Sequence, residues 1–241
     1  MKLLMSCIEC SLSTEDATEV LSYVELRDDA YYEVECRQGH RRSVIFTDRK
    51  FEVLFESGAM ALLDGYTREA VSSFAASLER FYEYWIKAAL LAGGTTPEML
   101  DDCWKLVTAQ SERQYGAFCV LYQREYGRRP TVLPNKRVEF RNNVIHRGYI
   151  PQRTEVVEYA SDVLRMLVAL YAELYETRYK GISDLDGIEM GKAYWRAPDR
   201  AKLSTVAIAT VFSDVAAPKG QMSFEAALEE LERRREGLYS R

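Results

Sequence analysis

The spacing of hydrophobic and polar residues separates an extended N-terminal segment from a helical remainder. In the N-terminal segment, hydrophobic side chains recur at every second position at Tyr32, Val34 and Cys36, and a second β-prone run covers residues 43–46. A period of two is typical of a strand with one buried face. We therefore predict a small β-rich module in which residues 37–39 form the turn between two strands.

From Tyr66 onward the hydrophobic period becomes that of an α-helix. The first helix carries one apolar stripe and stops at the pair Gly93 and Gly94. Further helices are predicted at residues 97–108, 112–126 and 135–148, and a long one has its apolar face between Val156 and Tyr175. Because the connections are short, neighbouring helices should be antiparallel. The predicted fold class is mainly α, an antiparallel helical bundle with a small N-terminal β-rich module.

Beyond Tyr179 the periodicity weakens. A short apolar run at residues 206–212 is compatible with a strand or a helix, and the remainder of residues 181–222 has no assignable fold. The residues from Ser223 onward predict a final helix, with Ser223 as its N-cap. The predicted domains are residues 1–50, residues 51–180 and residues 181–241.

Composition limits the class of protein. The chain has 241 residues, of which 47% are hydrophobic and 29% charged, as in ordinary soluble globular proteins. No apolar run reaches the roughly 18–20 residues that a membrane span needs, and the N-terminus lacks the pattern of a signal peptide. We therefore predict a cytoplasmic protein with no membrane partner and no disulfide framework. Cys103 and Cys119 lie on predicted helices and are interpreted as core residues.

Four residues of the N-terminal module have the spacing of metal ligands. Cys7 and Cys10 form a C-x2-C pair, and Cys36 and His40 form a C-x3-H pair in which Gly39 permits a tight turn. Two such pairs can hold zinc tetrahedrally, and a site closed by four protein ligands is structural. The module resembles a degenerate zinc ribbon, and the predicted cofactor is a structural Zn²⁺. The alternative is that the cysteines are incidental thiols and His40 is a surface residue.

The net charge of −5 hides a basic stretch. Between Arg128 and Arg153 there are seven basic residues and one acidic residue, a net charge of +6 that leaves −11 for the rest of the chain. Clustered positive charge can neutralise an RNA backbone, whereas the alternative is a plain solvated surface. The RNA-binding candidates in this stretch are Lys136, Arg137, Arg147 and Tyr149.

The same stretch places an arginine, an asparagine and a histidine on one predicted helix. Asn142 and His146 are four residues apart and lie on one face. Arg141 lies about 140° around the helix from His146, but its long side chain can reach back. The text FRNNVIHRGY at residues 140–149 resembles the R-x4–6-H motif of the HEPN superfamily, in the form that has Asn after the Arg.

The resemblance covers roughly residues 60–180 and places the motif on the fourth helix, before one long closing helix. It implies a metal-independent endoribonuclease with Arg141, Asn142 and His146 as catalytic residues and no cofactor needed for catalysis. The ribose 2′-hydroxyl would attack the neighbouring phosphate, giving a 2′,3′-cyclic phosphate and a 5′-hydroxyl. The chemistry fits, because imidazole exchanges protons near neutral pH and guanidinium neutralises phosphate oxygens.

The resemblance also implies partners. Active members are dimers in which two motifs face one cleft, so we expect a homodimer with RNA as substrate. An inhibitory or sensing protein partner is also expected, as for toxin or antiviral-defence effectors. Polar residues of the first helix approach the motif in such proteins, and the candidates are Glu79 and Glu83. Their alternative role is a solvated helix face in which Glu83 pairs with Lys87.

Two other functions stay open at this point. One is a non-catalytic HEPN module that mediates dimerisation or binds a nucleotide or a protein partner. The other is a zinc-ribbon adaptor whose helices are only a scaffold. The joint presence of Arg141, Asn142 and His146 favours the ribonuclease, and the assignment of His40 to zinc leaves His146 as the sole histidine for proton transfer.

Overall fold

The protein consists of two compact units, each built from two stretches of chain. The computed structural model describes residues 2–6, 9–10, 21–197, 200, 203–216 and 222–239. The first unit comprises Met1–Asp48 and Asp186–Ile208, and the second comprises Arg49–Leu185 and Ala209–Arg241. The C-terminal residues from 181 onward therefore contribute to both units. The described chain is mainly helical with a small three-stranded sheet, which agrees with the predicted mainly α class.

The first unit contains the strands. β1 (Lys2–Ser6) pairs antiparallel with β2 (Leu21–Glu25), and a separate three-stranded sheet is made of β3 (Tyr31–Glu35), β4 (Arg41–Phe46) and β5 (Leu203–Val206). The central strand β4 runs antiparallel to β3 and parallel to β5. Tyr32 and Val34 are buried whereas Glu33 and Glu35 are exposed, so the predicted alternation is confirmed. The partner strand β5 comes from a distant part of the sequence, which the local pattern did not reveal.

The remaining elements are helices. They are α1 (Lys50–Leu63), α2 (Thr67–Ala92), α3 (Pro97–Val107), α4 (Ser111–Tyr126), α5 (Asn135–Arg147), α6 (Arg153–Arg196), α7 (Val211–Ala216) and α8 (Phe224–Tyr239). The five helices predicted between Tyr66 and Tyr175 are confirmed as α2 to α6. In the final helix the Ser223 hydroxyl accepts a hydrogen bond from the backbone N–H of Ala226 at 3.2 Å, so its predicted N-cap is confirmed. None of the described helices is both long enough and apolar enough to cross a membrane.

Helix α1 has no counterpart in the sequence prediction. Its buried residues include Phe51, Phe55 and Ala59, and even Glu52 and Glu56 are buried. Because buried side chains occupy nearly every side, the helix has no polar face from which a 3.6-residue stripe could be recognised. The motif helix α5 is the fourth of the five predicted helices α2 to α6, as the sequence predicted, and α1 precedes that group.

The structure also differs from the sequence prediction in the C-terminal half of the long helix and in the short apolar run. Helix α6 continues to Arg196, interrupted at Arg178, whose φ of −137° and ψ of 32° are not helical. The Arg178 guanidinium pairs there with Glu125, its Nε lying 3.1 Å from the carboxylate. The run at residues 206–212 is neither one strand nor one helix, because β5 ends at Val206 and α7 begins at Val211.

Helix α2 is packed on most of its surface, and two glycines make the closest approaches to it. A Cβ added at Gly58 of α1 would lie 2.6 Å from the Phe74 ring. One added at Gly181 of α6 would lie 1.9 Å from the backbone carbonyl oxygen of Ala88. Real Cβ atoms do not approach this closely, so both neighbouring helices need glycine at these positions.

We expect Gly181→Ala to lower the free energy of unfolding by roughly 1–3 kcal/mol, because the methyl group meets backbone that cannot move aside without repacking. Gly116→Ala on α4 is the matched control, since a Cβ there meets no atom within 4 Å. Gly116→Ala should raise the free energy of unfolding by about 0.5–1 kcal/mol, because alanine has a higher helix propensity than glycine. Urea denaturation followed by circular dichroism measures both, and equal stability of the two variants would contradict the packing argument.

Candidate functional site

The end of helix α5 is held in place immediately after the motif histidine. Gly148 adopts the left-handed conformation, with φ of 72°, and the backbone N–H of Tyr149 donates to the carbonyl oxygen of Asn143 at 3.1 Å. Within the helix Val144 is fully buried, and the Phe140 ring packs against Tyr159 with centroids 5.5 Å apart. These contacts fix the rotation of the helix.

Arg141 is part of a hydrogen-bonded group that joins two helices. Its guanidinium donates to Oε1 of Glu79 on α2 at 3.1 Å and to Oδ1 of Asn142 at 3.0 Å. The Arg141 side chain is 27% exposed, so one side of it still faces solvent. The sequence predicted that Glu79 or Glu83, on the helix now labelled α2, lies near the motif. In the structure Glu79 contacts Arg141. Glu83 lies elsewhere, paired with Arg80 and with Lys87 at 2.6 Å, which is the alternative stated for it.

Two buried tyrosines lie beside the Arg141–Glu79 pair. Burial raises the pKa of Tyr82 and of Tyr159 far above the ordinary value, although the positive charge of Arg141 lowers both pKa values somewhat. Both phenols therefore stay protonated and neutral at neutral pH.

His146 lies one turn beyond this group on the same helix and has an exposed side chain. Nothing in the described part of the chain hydrogen-bonds its ring. The structure therefore brings Glu79, Arg141 and Asn142 together, whereas the imidazole faces solvent, where a substrate can reach it.

Tyr149 lies in the loop that follows the motif and is anchored to Glu155 at the start of α6. Its hydroxyl donates to the carboxylate of Glu155, with distances of 2.9 and 3.1 Å to the two oxygens. This hydrogen bond raises the pKa of the Tyr149 phenol. The same carboxylate accepts the backbone N–H of Gln152 at 2.8 Å, so the loop and the tyrosine are ordered together.

The basic stretch is partly neutralised by acids from elsewhere in the chain. Arg128 pairs with Glu173, and Arg137 pairs with Asp162 at 2.6 Å and Glu158 at 3.1 Å. Burial by itself raises the pKa of Asp162, but the hydrogen bond and charge of Arg137 outweigh this effect and the net shift is downward. The Arg137 side chain is only 13% exposed. Its guanidinium therefore holds α5 against α6 and is poorly placed for RNA.

Three of the RNA-binding candidates remain at the surface. Lys136, Arg147 and Tyr149 are exposed, and Arg147 donates to Oδ1 of Asn143 at 3.1 Å. The excess of positive charge in the sequence is therefore larger than the positive charge that the folded surface offers. The difference arises from carboxylates that lie far away in the sequence, which a local count does not include.

Three of the four predicted metal ligands meet in the first unit. The Sγ atoms of Cys10 and Cys36 are 3.7 Å apart, and Nδ1 of His40 lies 3.2 Å from the former and 3.5 Å from the latter. These three atoms can hold a metal ion. Cys7 lies outside the described residues.

A turn and a carboxylate orient the histidine of this group. Gly39, with φ of 81°, donates its backbone N–H to the carbonyl oxygen of Cys36 at 2.9 Å, so the chain reverses between the two ligands. Oε2 of Glu9 lies 3.6 Å from Nε2 of His40, and Arg42 holds the other carboxylate oxygen at 2.6 Å. A carboxylate behind the imidazole is the usual arrangement for a metal-binding histidine, because it fixes the tautomer.

The other two described cysteines are apart from this group. Cys119 is half-buried on α4, but Cys103 is exposed on α3, so its interpretation as a core residue is wrong. Helix α3 buries only Leu100 and presents most of its side chains to solvent. A position on an amphipathic helix therefore did not guarantee burial.

We expect Cys36→Ser to abolish stoichiometric metal binding, because the loss of one thiolate leaves an incomplete ligand set. Cys103→Ser is the matched control and should retain the metal of the wild type. Elemental analysis of the purified proteins measures the content, and thermal melting with and without chelator measures the linked stability. Equal metal content in both variants would show that Cys36 is not a metal ligand.

Comparison with protein-family models, with curated proteins and with solved structures finds no significant match for this chain.

Proposed function

We propose that the protein is a metal-independent endoribonuclease of the HEPN type, in which helices α2 to α6 form the HEPN-like bundle. The observation that supports this most strongly is the group of Glu79, Arg141 and Asn142, with an exposed His146 one turn further along the helix of Arg141. A toxin or antiviral-defence effector is the biological role that such an activity favours.

In the proposed reaction the ribose 2′-oxygen forms a bond to the adjacent phosphorus and the bond from phosphorus to the 5′-oxygen breaks. The 2′-hydroxyl proton goes to a general base, and the departing 5′-oxygen takes a proton from a general acid. The products are a 2′,3′-cyclic phosphate and a 5′-hydroxyl. His146 is the residue of this site that can exchange such protons near neutral pH.

Arg141 is proposed to neutralise the charge that develops on the phosphate oxygens. A guanidinium has five N–H donors, and the contacts to Glu79 and Asn142 occupy two of them within the described structure. The remaining donors are available to a phosphate on the exposed side. Glu79 acts as a positioning residue, because it fixes the guanidinium before substrate binds.

A homodimer belongs to this proposal. One imidazole cannot be the base and the acid of the same step, and the only other histidine of the chain is His40 in the cysteine group. A second copy would supply the missing proton-transfer group if two motifs face one cleft. This arrangement is carried over from the resemblance to HEPN proteins.

The cysteine–histidine group is proposed to hold a structural Zn²⁺. For Zn–S bonds of about 2.3 Å and Zn–N bonds of about 2.0 Å, a tetrahedron has S···S edges of about 3.8 Å and S···N edges of about 3.5 Å. The observed separations of 3.7, 3.2 and 3.5 Å are close to these edges. Cys7 is the proposed fourth ligand, on the evidence of its spacing from Cys10.

The second candidate function is a non-catalytic module that dimerises or binds a nucleotide or protein partner. It is favoured by the neutralisation of the basic stretch, since Arg128, Arg137 and Arg141 all pair with carboxylates. A module of this kind would retain the Arg141–Glu79 pair for stability and would not cleave RNA.

Cleavage of mixed RNA by the purified protein in the presence of chelator is the test of the proposed activity. We expect 2′,3′-cyclic phosphate ends, and a loss of at least about a hundredfold in rate for His146→Ala and for Arg141→Ala. Arg124→Ala, an exposed arginine on α4, is the control and should cleave like the wild type. Full activity in both motif variants contradicts the proposed active site, and a strict need for Mg²⁺ contradicts the proposed mechanism.

Glu79 and Glu83 provide a matched pair, because they lie one turn apart on α2 and only Glu79 contacts Arg141. We expect Glu79→Ala to reduce the cleavage rate roughly tenfold to a hundredfold through misplacement of the guanidinium. Glu79→Gln retains an acceptor oxygen and should recover part of the rate, whereas Glu83→Gln should leave it near the wild-type value. Equal rates for Glu79→Ala and Glu83→Gln would contradict the positioning role.

A further inference from the structure

The C-terminal end of helix α6 presents aromatic side chains to solvent. Ala193 is buried in the first unit, so its side of the helix is packed. Trp195 is 70% exposed and Tyr194 is 39% exposed. At 100° per residue, Trp195 lies about 160° around the helix from Ala193. The indole therefore lies on the side of the helix away from the packed face.

A large exposed aromatic side chain is costly to keep in water and marks a contact surface more often than a random surface position. Here the exposed Trp195 ring is part of a group of three planar side chains. The guanidinium carbon of Arg200 lies 4.4 Å from the ring centroid of Trp195 and 5.4 Å from that of Tyr194. The two rings meet edge to face with centroids 5.6 Å apart. We call Tyr194, Trp195 and Arg200 the aromatic platform.

The sequence around the platform is basic. From Lys192 to Lys202 there are four basic residues and one acidic residue, in a protein whose net charge is −5, and Lys192 pairs with Glu189 at 3.1 Å. Arg196, beside Trp195, has an exposed side chain that donates to the backbone carbonyl oxygen of Asp29 at 3.2 Å. This contact uses a neutral oxygen, so the positive charge of Arg196 is not neutralised by it. The platform thus combines aromatic faces with local positive charge.

We propose that the aromatic platform binds single-stranded RNA by stacking unpaired bases on Trp195, with Arg196 and Arg200 at the phosphates. This inference rests on the proposed ribonuclease function and names how the first unit would hold its substrate. Every nucleobase has a face that stacks on an aromatic ring, and the phosphates are attracted by the positive charge. A duplex offers no unstacked base, so the platform selects single strands.

Binding is measured on the full-length protein carrying His146→Ala, so that RNA is not consumed. The probe is a fluorescein-labelled oligouridylate of about 12 nucleotides, a length within the range that small single-strand binding folds cover. We expect Trp195→Ala to weaken its affinity by about tenfold. Trp195→Phe should retain most of the affinity, because it retains a stacking face. Tyr66→Ala, which removes an exposed aromatic ring from the second unit, is the matched control and should bind like the parent protein.

Salt dependence provides an independent readout of the arginine. Arg200→Ala should reduce the slope of log affinity against log salt by about 1, because one phosphate contact is lost. Trp195→Ala should lower affinity without changing that slope. Thermal melting checks that each variant is folded, and Trp195→Phe keeps the test meaningful if Trp195→Ala is unstable.

Unchanged oligouridylate binding in a folded Trp195→Ala protein would overturn the proposal, and so would equally tight binding of a duplex of the same length. Either result would show that the platform does not select single-stranded RNA. The outcome is separable from that of the cleavage test, because binding is measured here without cleavage. If the protein binds RNA through Trp195 but the wild type does not cut RNA, the proposed ribonuclease activity is wrong and the proposed RNA binding by the platform is supported.

Discussion

The close packing of helix α2 is the constraint from which the geometry of the candidate site follows. Fourteen of its residues are buried, and Gly58 and Gly181 let neighbouring helices approach to backbone contact. A helix packed so completely cannot rotate without opening voids or creating clashes. Glu79 lies on this helix, so the position of its carboxylate is set by apolar contacts on the other faces. The orientation of Arg141 is in turn set by Glu79.

The Arg141–Glu79 pair illustrates how a partly buried ion pair serves organisation more than stability. Removing two charges from water costs free energy that their attraction only partly offsets, so such a pair is weak evidence for a stabilising role. Its effect is to hold a guanidinium at a fixed place beside two neutral phenols, in surroundings where charge is less screened. Electrostatic catalysis needs preorganised charge of this kind. The same reasoning explains why Arg137, with two carboxylates and little exposure, is a structural residue.

The two units divide the chemistry of the protein. The first unit has the cysteine–histidine group and the aromatic platform, and the second has the Arg-Asn-x-x-x-His motif. The first unit includes chain segments distant in sequence, since β5 and the end of α6 belong to it together with the N-terminal strands. A small β-rich module buries little apolar surface, so added strands and a metal ion would each help to stabilise it. The proposed division is one of substrate retention in the first unit and phosphoryl transfer in the second.

The sequence by itself determined the elements whose signal is local. Periodicity predicted β3, β4 and the helices α2 to α6, and residue spacing identified Cys10, Cys36, His40 and the motif on α5. The all-round burial of α1, the addition of β5 to the sheet and the continuation of α6 left no local periodic signal and were settled only by tertiary packing. The same holds for charge, because three arginines of the +6 stretch pair with Glu79, Asp162 and Glu173 from other helices. Side-chain spacing is a property of neighbouring residues, whereas exposure, pairing and partner strands depend on which distant residues the fold brings together.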